Sequence, residues 1–288
     1  MRHPILCSTR PICTILFCFV FLFAALPAGA AEEEKAPESS ASKPTATVSA
    51  DILSQYVFRG LSVSKDSAVI QPSLAASYEG FAVSIWGNLD TRQRTNNPLL
   101  AVPVGFVKND SQGRWNETDI TLSYTREIFK NFSVTGGNVY YSLSYARFDT
   151  NELFGGFSYA FPWVTVGFTT YKEVSHTPGW WMQLDITKSI PLPCHDMSLD
   201  LGASFGYMIM NDDDTTLNQL GTLGSYSEFH SGTLTAALKI PVTKYLTVAP
   251  KFGVSFPLTG ASSDFIKANS WDSQDVHPYG GINLTATF

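Results

Sequence analysis

The chain has 288 residues, of which 44% are hydrophobic and 15% charged, with a formal net charge of −6 and four cysteines. An acidic balance speaks against nucleic acid as a partner, and three of the cysteines, Cys7, Cys13 and Cys18, fall in the first 30 residues, leaving Cys194 without a disulfide framework. Beyond the N-terminal segment no apolar run approaches the ~20 residues that a membrane helix needs, which excludes helical insertion.

At the N-terminus, Arg2 and Arg10 precede the apolar run "ICTILFCFVFLFAAL" and a small-x-small site at Ala28 and Ala30. This order of positive, apolar and small residues predicts a secretory signal peptide over 1–30. Its loss removes two arginines and no acid, so the formal charge of the remainder becomes −8. Residues 31–45, "AEEEKAPESSASKPT", are acidic, Pro- and Ser-rich and without period, the composition of a disordered periplasmic lead-in. The rest, 46–288, is long enough for one large all-β domain.

From residue 46 onwards, apolar and small polar residues alternate with the period of a strand. Twelve strand candidates follow in order, beginning with "ATVSADILSQYVFRG", in which Ala46, Val48, Ala50, Ile52, Tyr56 and Phe58 share the apolar face. Next come "AVIQPSLAASYE" and "FAVSIWGNLD", joined at the tight-turn pair Glu79-Gly80. "NETDITLSYTR", "FSVTGGNVYYSLSY", "ELFGGFSYAF", "VTVGFTTY", "WWMQLDIT", "SLDLGASFGYMIM", "HSGTLTAALKI", "LTVAPKFGVSF" and "YGGINLTATF" complete the set. No helical period is visible in the mature chain. Pro72 and Pro250 fall inside strand candidates, where a missing N–H predicts bulges.

Connections alternate as well. Even-to-odd links are short, whereas several odd-to-even links are long, among them Thr91–Trp115, Asn211–Phe229 and Pro257–His277. Short turns at one end and long loops at the other predict a transmembrane antiparallel up-and-down β-barrel of about twelve strands, with periplasmic turns and extracellular loops. The polar faces carry mostly Ser, Thr, Gly and Asn, unlike a soluble surface, of which about 25–35% is charged. Aromatics at strand ends suit the interfacial girdles of such barrels. An even strand count returns both termini to the periplasm, and closure requires the last strand to pair with the first. Phe288, the terminal aromatic on the apolar parity, fits the assembly signal read by the outer-membrane assembly machinery. The remaining partners this architecture implies are outer-membrane lipid, lipopolysaccharide and small polar solutes.

The segment "SQYVFRGLSVSKDSAVIQPSLAASYEGFAVSIWGNLD" (Ser54–Asp90) resembles the start of the TorF-like porins of proteobacteria. The resemblance rests on Ser54, Tyr56, Arg59, Gly60, Ser62, Ser64, Gln71, Gly80, Phe81, Trp86 and Gly87, with Gln55 where an Asp is frequent. It implies an outer-membrane barrel of porin type and no particular substrate.

Strand parity directs Asp51, Gln55, Arg59, Trp86, Asp90, Glu117, Asp119, Asp185, Asp200, Lys239 and Lys251 into the lumen, together with Glu79 and Glu152. Acids outnumber bases there, so an aqueous path favours cations or neutral polar solutes. The opposing reading is that these charges pair in a plugged interior. Arg59, at the end of a strand with Gly60 behind it, either binds a solute carboxylate or phosphate or pins the rim by pairing with Asp90 or Glu117. Trp86, Trp181, Tyr141 and Tyr171 reach the upper lumen, as stacking surfaces or as filling. "NDDD" (Asn211–Asp214) lacks the spacing of a calcium loop, and no metal or cofactor is implied elsewhere. An outer-membrane lipid-modifying enzyme would need Ser beside His on the outward face. His230 takes that parity, but its neighbour Ser231 takes the opposite one. A closed barrel acting through its loops as adhesin or scaffold is the other alternative.

Overall fold

The computed structural model describes residues 43–96, 111–146, 149–176, 179–210 and 226–288. The proposed signal peptide, nearly all of the lead-in and "NDDD" lie outside them. Strands β1 (Thr45–Leu53), β4 (Val69–Tyr78), β5 (Phe81–Asp90), β6 (Arg114–Phe129), β7 (Phe132–Leu143), β8 (Thr150–Ala160) and β9 (Thr165–Glu173) make one half of the wall. The other half comprises β10 (Gly179–Pro191), β11 (Ser198–Met210), β12 (Tyr226–Pro241), β13 (Leu246–Pro257) and β14 (His277–Thr287). Each pairs with its sequence neighbour, and β1 pairs with β14, giving a closed antiparallel barrel of twelve strands. The closing register runs from Thr47↔Thr287 to Leu53↔Gly281. Beyond it, Ala46 and Phe288 each donate an N–H to the other's carbonyl, at 3.2 and 2.9 Å.

Alternation decides which face each side chain takes. On β6, Ile120, Leu122 and Tyr124 are exposed on the outside while Thr121 and Ser123 are half-buried between them. The same outward face carries Val48, Ile52, Leu74, Val83, Ile85, Leu153, Leu184, Leu201, Phe252 and Leu284. Near the short turns it ends in exposed rings: Tyr78, Phe81, Phe129, Phe161, Trp163, Tyr245 and Phe288. Several are paired, as in Phe81–Tyr124 and Phe129–Phe132, with centroids 4.6 and 4.5 Å apart. Towards the loops a second set stands out, with Trp115, Tyr140, Trp180 and Phe229.

Three irregularities break the parity, and none lies at a proline. Register shifts occur at Asn88/Leu89 against β6, at Glu127/Phe129 and at Gly206/Tyr207. Pro72 and Pro250 keep their strands in register, opposite Ala50 and Ile282. Each instead leaves a gap in the ladder on its other side, so a missing donor is tolerated there without a bulge. The bulge of β12 at His230 turns both His230 and Ser231 inward, correcting the expectation that His230 points outward.

The largest departure from the sequence pattern is at the top of β1. The chain leaves the wall at Ser54, and Tyr56 to Ser64 fold inward as a hairpin of β2 (Val57–Phe58) and β3 (Leu61–Ser62). Arg59 and Gly60 form its two-residue turn, both with positive φ (47° and 89°), the conformation a tight hairpin requires. Tyr56 and Phe58, expected on the lipid face, are therefore interior: Tyr56 is 6% exposed and packs on Trp86 at 5.5 Å. Glu79, expected in the lumen, sits with positive φ in the exposed β4–β5 turn.

A helix, α1 (Gly260–Asn269), occupies the β13–β14 loop, correcting the expectation of none. Thr259 caps it. The Thr259 hydroxyl accepts the Ser262 N–H at 3.1 Å, and Ser262 Oγ accepts the Thr259 N–H at 2.9 Å. Phe265 and Ile266 on its inner face are buried, as is Trp271 just after it. The hairpin and this segment are stitched together: Trp271 N–H donates to Ser62 O at 2.9 Å and Ser62 N–H to Ser270 Oγ at 3.1 Å. Tyr56, Val63, Val69, Leu53 and Trp271 form a small apolar core at the loop end of the barrel. A buried amide chain, Gln71–Asn88–Asn116–Gln93, ties the β4–β6 wall beside it.

Candidate functional site in the lumen

Arg59 at the hairpin tip crosses the lumen and meets the far wall. Its two terminal nitrogens donate to the two carboxylate oxygens of Glu152 on β8, both at 2.7 Å. That is the fork-to-fork geometry in which a guanidinium binds a carboxylate most strongly. Neither Asp90 nor Glu117 is its partner. Three rings surround the same guanidinium, with centroids 4.8 Å (Phe58), 5.0 Å (Tyr171) and 5.2 Å (Trp181) from its central carbon. Tyr141 donates its hydroxyl proton to Glu152 at 2.8 Å and fixes the carboxylate from behind. Trp181 has room because Gly206 faces it: a Cβ there would fall 1.9 Å from the indole ring. Gly60 is needed for a similar reason, since a Cβ would lie 2.7 Å from that of Ser231.

Below the tip lies a cavity of ≈330 Å³, lined by Arg59, Asp119, Tyr141, Trp181, Gln183, Ser204, Ser231 and Tyr279 among others. One carboxylate oxygen of Asp119 is buried with no partner. Gln183 accepts the Trp181 indole N–H at 3.0 Å and donates to Asp185 at 2.9 Å, which holds its amide in one orientation.

Lys251 and Lys239, the other bases that strand parity sends inward, are also paired. Lys251 reaches Asp51 at 3.1 Å across β13, β14 and β1, and Lys239 reaches Asp200 at 2.9 Å near the short-turn end. Glu117, Asp119 and Asp185 have no basic partner among the described residues. Glu117 accepts the Tyr145 hydroxyl at 2.7 Å. Asp90 is wholly buried at the end of β5, where it accepts the Arg92 N–H at 2.9 Å, and it does not line the cavity. Gln55 lies at the rim and donates to Pro278 O at 2.9 Å. Trp86 packs against the hairpin core. Of the eleven lumen candidates, the structure gathers Arg59 and Asp119 at the cavity, with Glu117 and Asp185 close along their strands, and sets Gln55, Trp86 and Asp90 elsewhere. Glu152, Tyr141, Tyr171 and Trp181 are joined to Arg59 by contacts that parity could not announce.

One arrangement has the order of a nucleophile, base and orienting acid. Ser270 Oγ is 3.3 Å from His277 Nε2, and His277 Nδ1 is 3.2 Å from Asp272 Oδ2, off the line of a hydrogen bond. Yet Ser270 is fully buried and its oxygen accepts the Ser62 N–H. The group holds the hairpin in place and offers no access to a substrate. His230 is likewise sealed among Trp181, Tyr226 and Phe265, with Nδ1 2.7 Å from the Tyr226 hydroxyl.

A family model described as "Bacterial protein of unknown function (Gcw_chp)" matches residues 36–221. No curated protein matches the chain. Among solved structures, the KdgM porin is similar at 10% identity and a TM-score of 0.47, over 82% of this chain and 97% of that one. The COG4313 outer membrane channel from Pseudomonas putida F1 is similar at 7% identity and a TM-score of 0.48, over 90% of this chain and all of that one.

Proposed function

The chain belongs to the Gcw_chp family of bacterial proteins of unknown function, and from that starting point we propose that it is a narrow outer-membrane channel. It passes small cationic or neutral polar solutes by diffusion. The observation that carries this reading is the charge of the lumen. Arg59, Lys239 and Lys251 are each matched by an acid, and Glu117, Asp119 and Asp185 remain without a basic partner among the described residues. In a low-dielectric wall such an excess favours cations over anions. The outward apolar band supports the location. Trp115 and Tyr124 on β6 mark its two ring sets, and at a rise of about 3.3 Å per residue and a tilt of 35–45° they stand roughly 20–24 Å apart, close to the ~25 Å band of outer-membrane barrels. The TorF-like pattern of Ser54–Asp90 lies inside the family match, and residues 1–30 supply the export signal that this location needs.

A second reading has its own support. The hairpin, α1 and Trp271 fill the loop end of the lumen, as they would in a non-conducting barrel that works through its loops. One experiment separates the two. Purified protein, refolded and inserted into a planar bilayer, is expected to give stepwise conductance with a reversal potential of cationic sign in a salt gradient. Silence from protein shown to be folded and inserted would sink the channel and leave the loops as the working surface.

A further inference from the structure

We propose that the lumen contains a guanidinium-binding site, which the protein's own Arg59 occupies and for which a small guanidino solute competes. The inference deepens the channel reading, from which it takes only that solutes reach the lumen. Everything that recognises the guanidinium, apart from Phe58 on the hairpin, belongs to the wall. Glu152 on β8 supplies the bidentate carboxylate, Tyr141 on β7 orients it, and Tyr171 on β9 and Trp181 on β10 supply ring faces. Four adjacent strands therefore hold a preformed receptor for a planar cation, and Arg59 enters it from a separate hairpin as a tethered ligand.

Two observations point to a ligand other than Arg59. Arg59 stands at the tip of a hairpin that pairs only with itself, so withdrawing its side chain leaves the barrel ladder intact. Beside the guanidinium, the ≈330 Å³ cavity lies at the small end of the roughly 300–1,000 Å³ range of ligand sites. Into it points Asp119, whose buried carboxylate oxygen lacks a donor. An incoming guanidino compound would place its fork on Glu152 and a second donor, such as an α-ammonium group, on Asp119. A carboxylate-rich solute finds no unpaired base among Arg59, Lys239 and Lys251. Arginine-like size and charge, not anionic sugars or phosphates, match this chemistry.

The test is calorimetric titration of the full-length protein in detergent, with guanidinium chloride at low millimolar concentration and then with arginine amide. Arg59→Ala vacates the site and is expected to bind both probes at least tenfold more tightly than wild type. Glu152→Gln placed on that background is expected to abolish the gain, and Asp119→Asn to weaken arginine amide but not guanidinium. If Arg59→Ala does not fold, Arg59→Lys keeps a cation opposite Glu152 without the fork and must still show tighter binding than wild type. Equal affinity in wild type and the vacated variant, or a gain that survives Glu152→Gln, would overturn the proposal. Binding is read without current, so a silent bilayer with Glu152-dependent binding ends the channel and not the site. Conductance without such binding ends the site and not the channel.

Discussion

Arg59 reaches across the barrel to satisfy a carboxylate that would otherwise stand buried and unpaired. Arg59 and Glu152 side chains are only 18% and 8% exposed, so the pair is largely removed from water. Removing one member of such a pair leaves an uncompensated charge and costs about 3–5 kcal/mol, whereas replacing both with apolar groups costs far less. Glu152→Ala is therefore expected to lower the urea midpoint of the refolded barrel markedly. The double variant Arg59→Met/Glu152→Leu should recover most of that loss, and equal midpoints for the single variant and wild type would show that the pair is solvated. At this scale the sequence announced the participants but not the pairing. Strand parity placed Glu152, Tyr141, Tyr171 and Trp181 inside, and it placed Asp51 and Lys251 there too. It carries no register between distant strands, so which acid meets which base became visible only in three dimensions.

The hairpin and α1 are the elements that occupy the loop end of the cylinder. α1 is fastened at its outer side by Asp275, which accepts the Ser263 hydroxyl at 2.5 Å and pairs with Lys267 at 3.1 Å. The Ser263 hydrogen bond, with Lys267 adding to it, holds the Asp275 carboxyl below the ordinary carboxylate range. A carboxylate with a lowered folded-state pKa contributes stability that is complete above its unfolded value, about 3.9, and is lost as pH falls through the folded value. Because Asp275 is only partly exposed and its partners all lie on or beside α1, the effect is local. Amide protection of α1, corrected for intrinsic exchange, should be lower at pH 2.5 than at pH 5, and Lys267→Ala should shrink the difference. Neither element was legible in the pattern, for separate reasons. On the apolar parity from Ala46 to Phe58 only Ser54 is polar, and the apolar residues resume at Tyr56, so one serine is too slight a break to mark the point where the chain leaves the wall. The cap of α1 uses Ser262 where a Glu or Gln would signal a capping box, and Phe265 and Ile266 are too few to set a helical period. Bulges hid the rest: one extra residue at His230, and another beside Trp115, reverse the face of everything beyond them.

The whole molecule was the most legible level, because closure, strand number and the asymmetry of turns and loops follow from periodicity and connection length alone. Its seam is completed by the last residue. Phe288 exchanges two main-chain hydrogen bonds with Ala46 and stacks on Tyr245 at 5.9 Å, yet its ring is 67% exposed. Deleting Phe288 should reduce the yield of folded barrel, seen as loss of the faster band on unheated gels, and an undiminished yield would remove it from the assembly step. The inward hairpin has a further consequence. It follows the first wall strand in the chain, but its anchors come late: Glu152 lies 93 residues beyond Arg59, and Ser270 lies 208 residues beyond Ser62. Arg59 cannot meet Glu152 until β8 stands in the wall, and Ser62 cannot meet Ser270 until the β13–β14 loop is in place. Contacts of such long sequence separation are the last a chain can make, so the hairpin is expected to settle late, after neighbouring strands have paired.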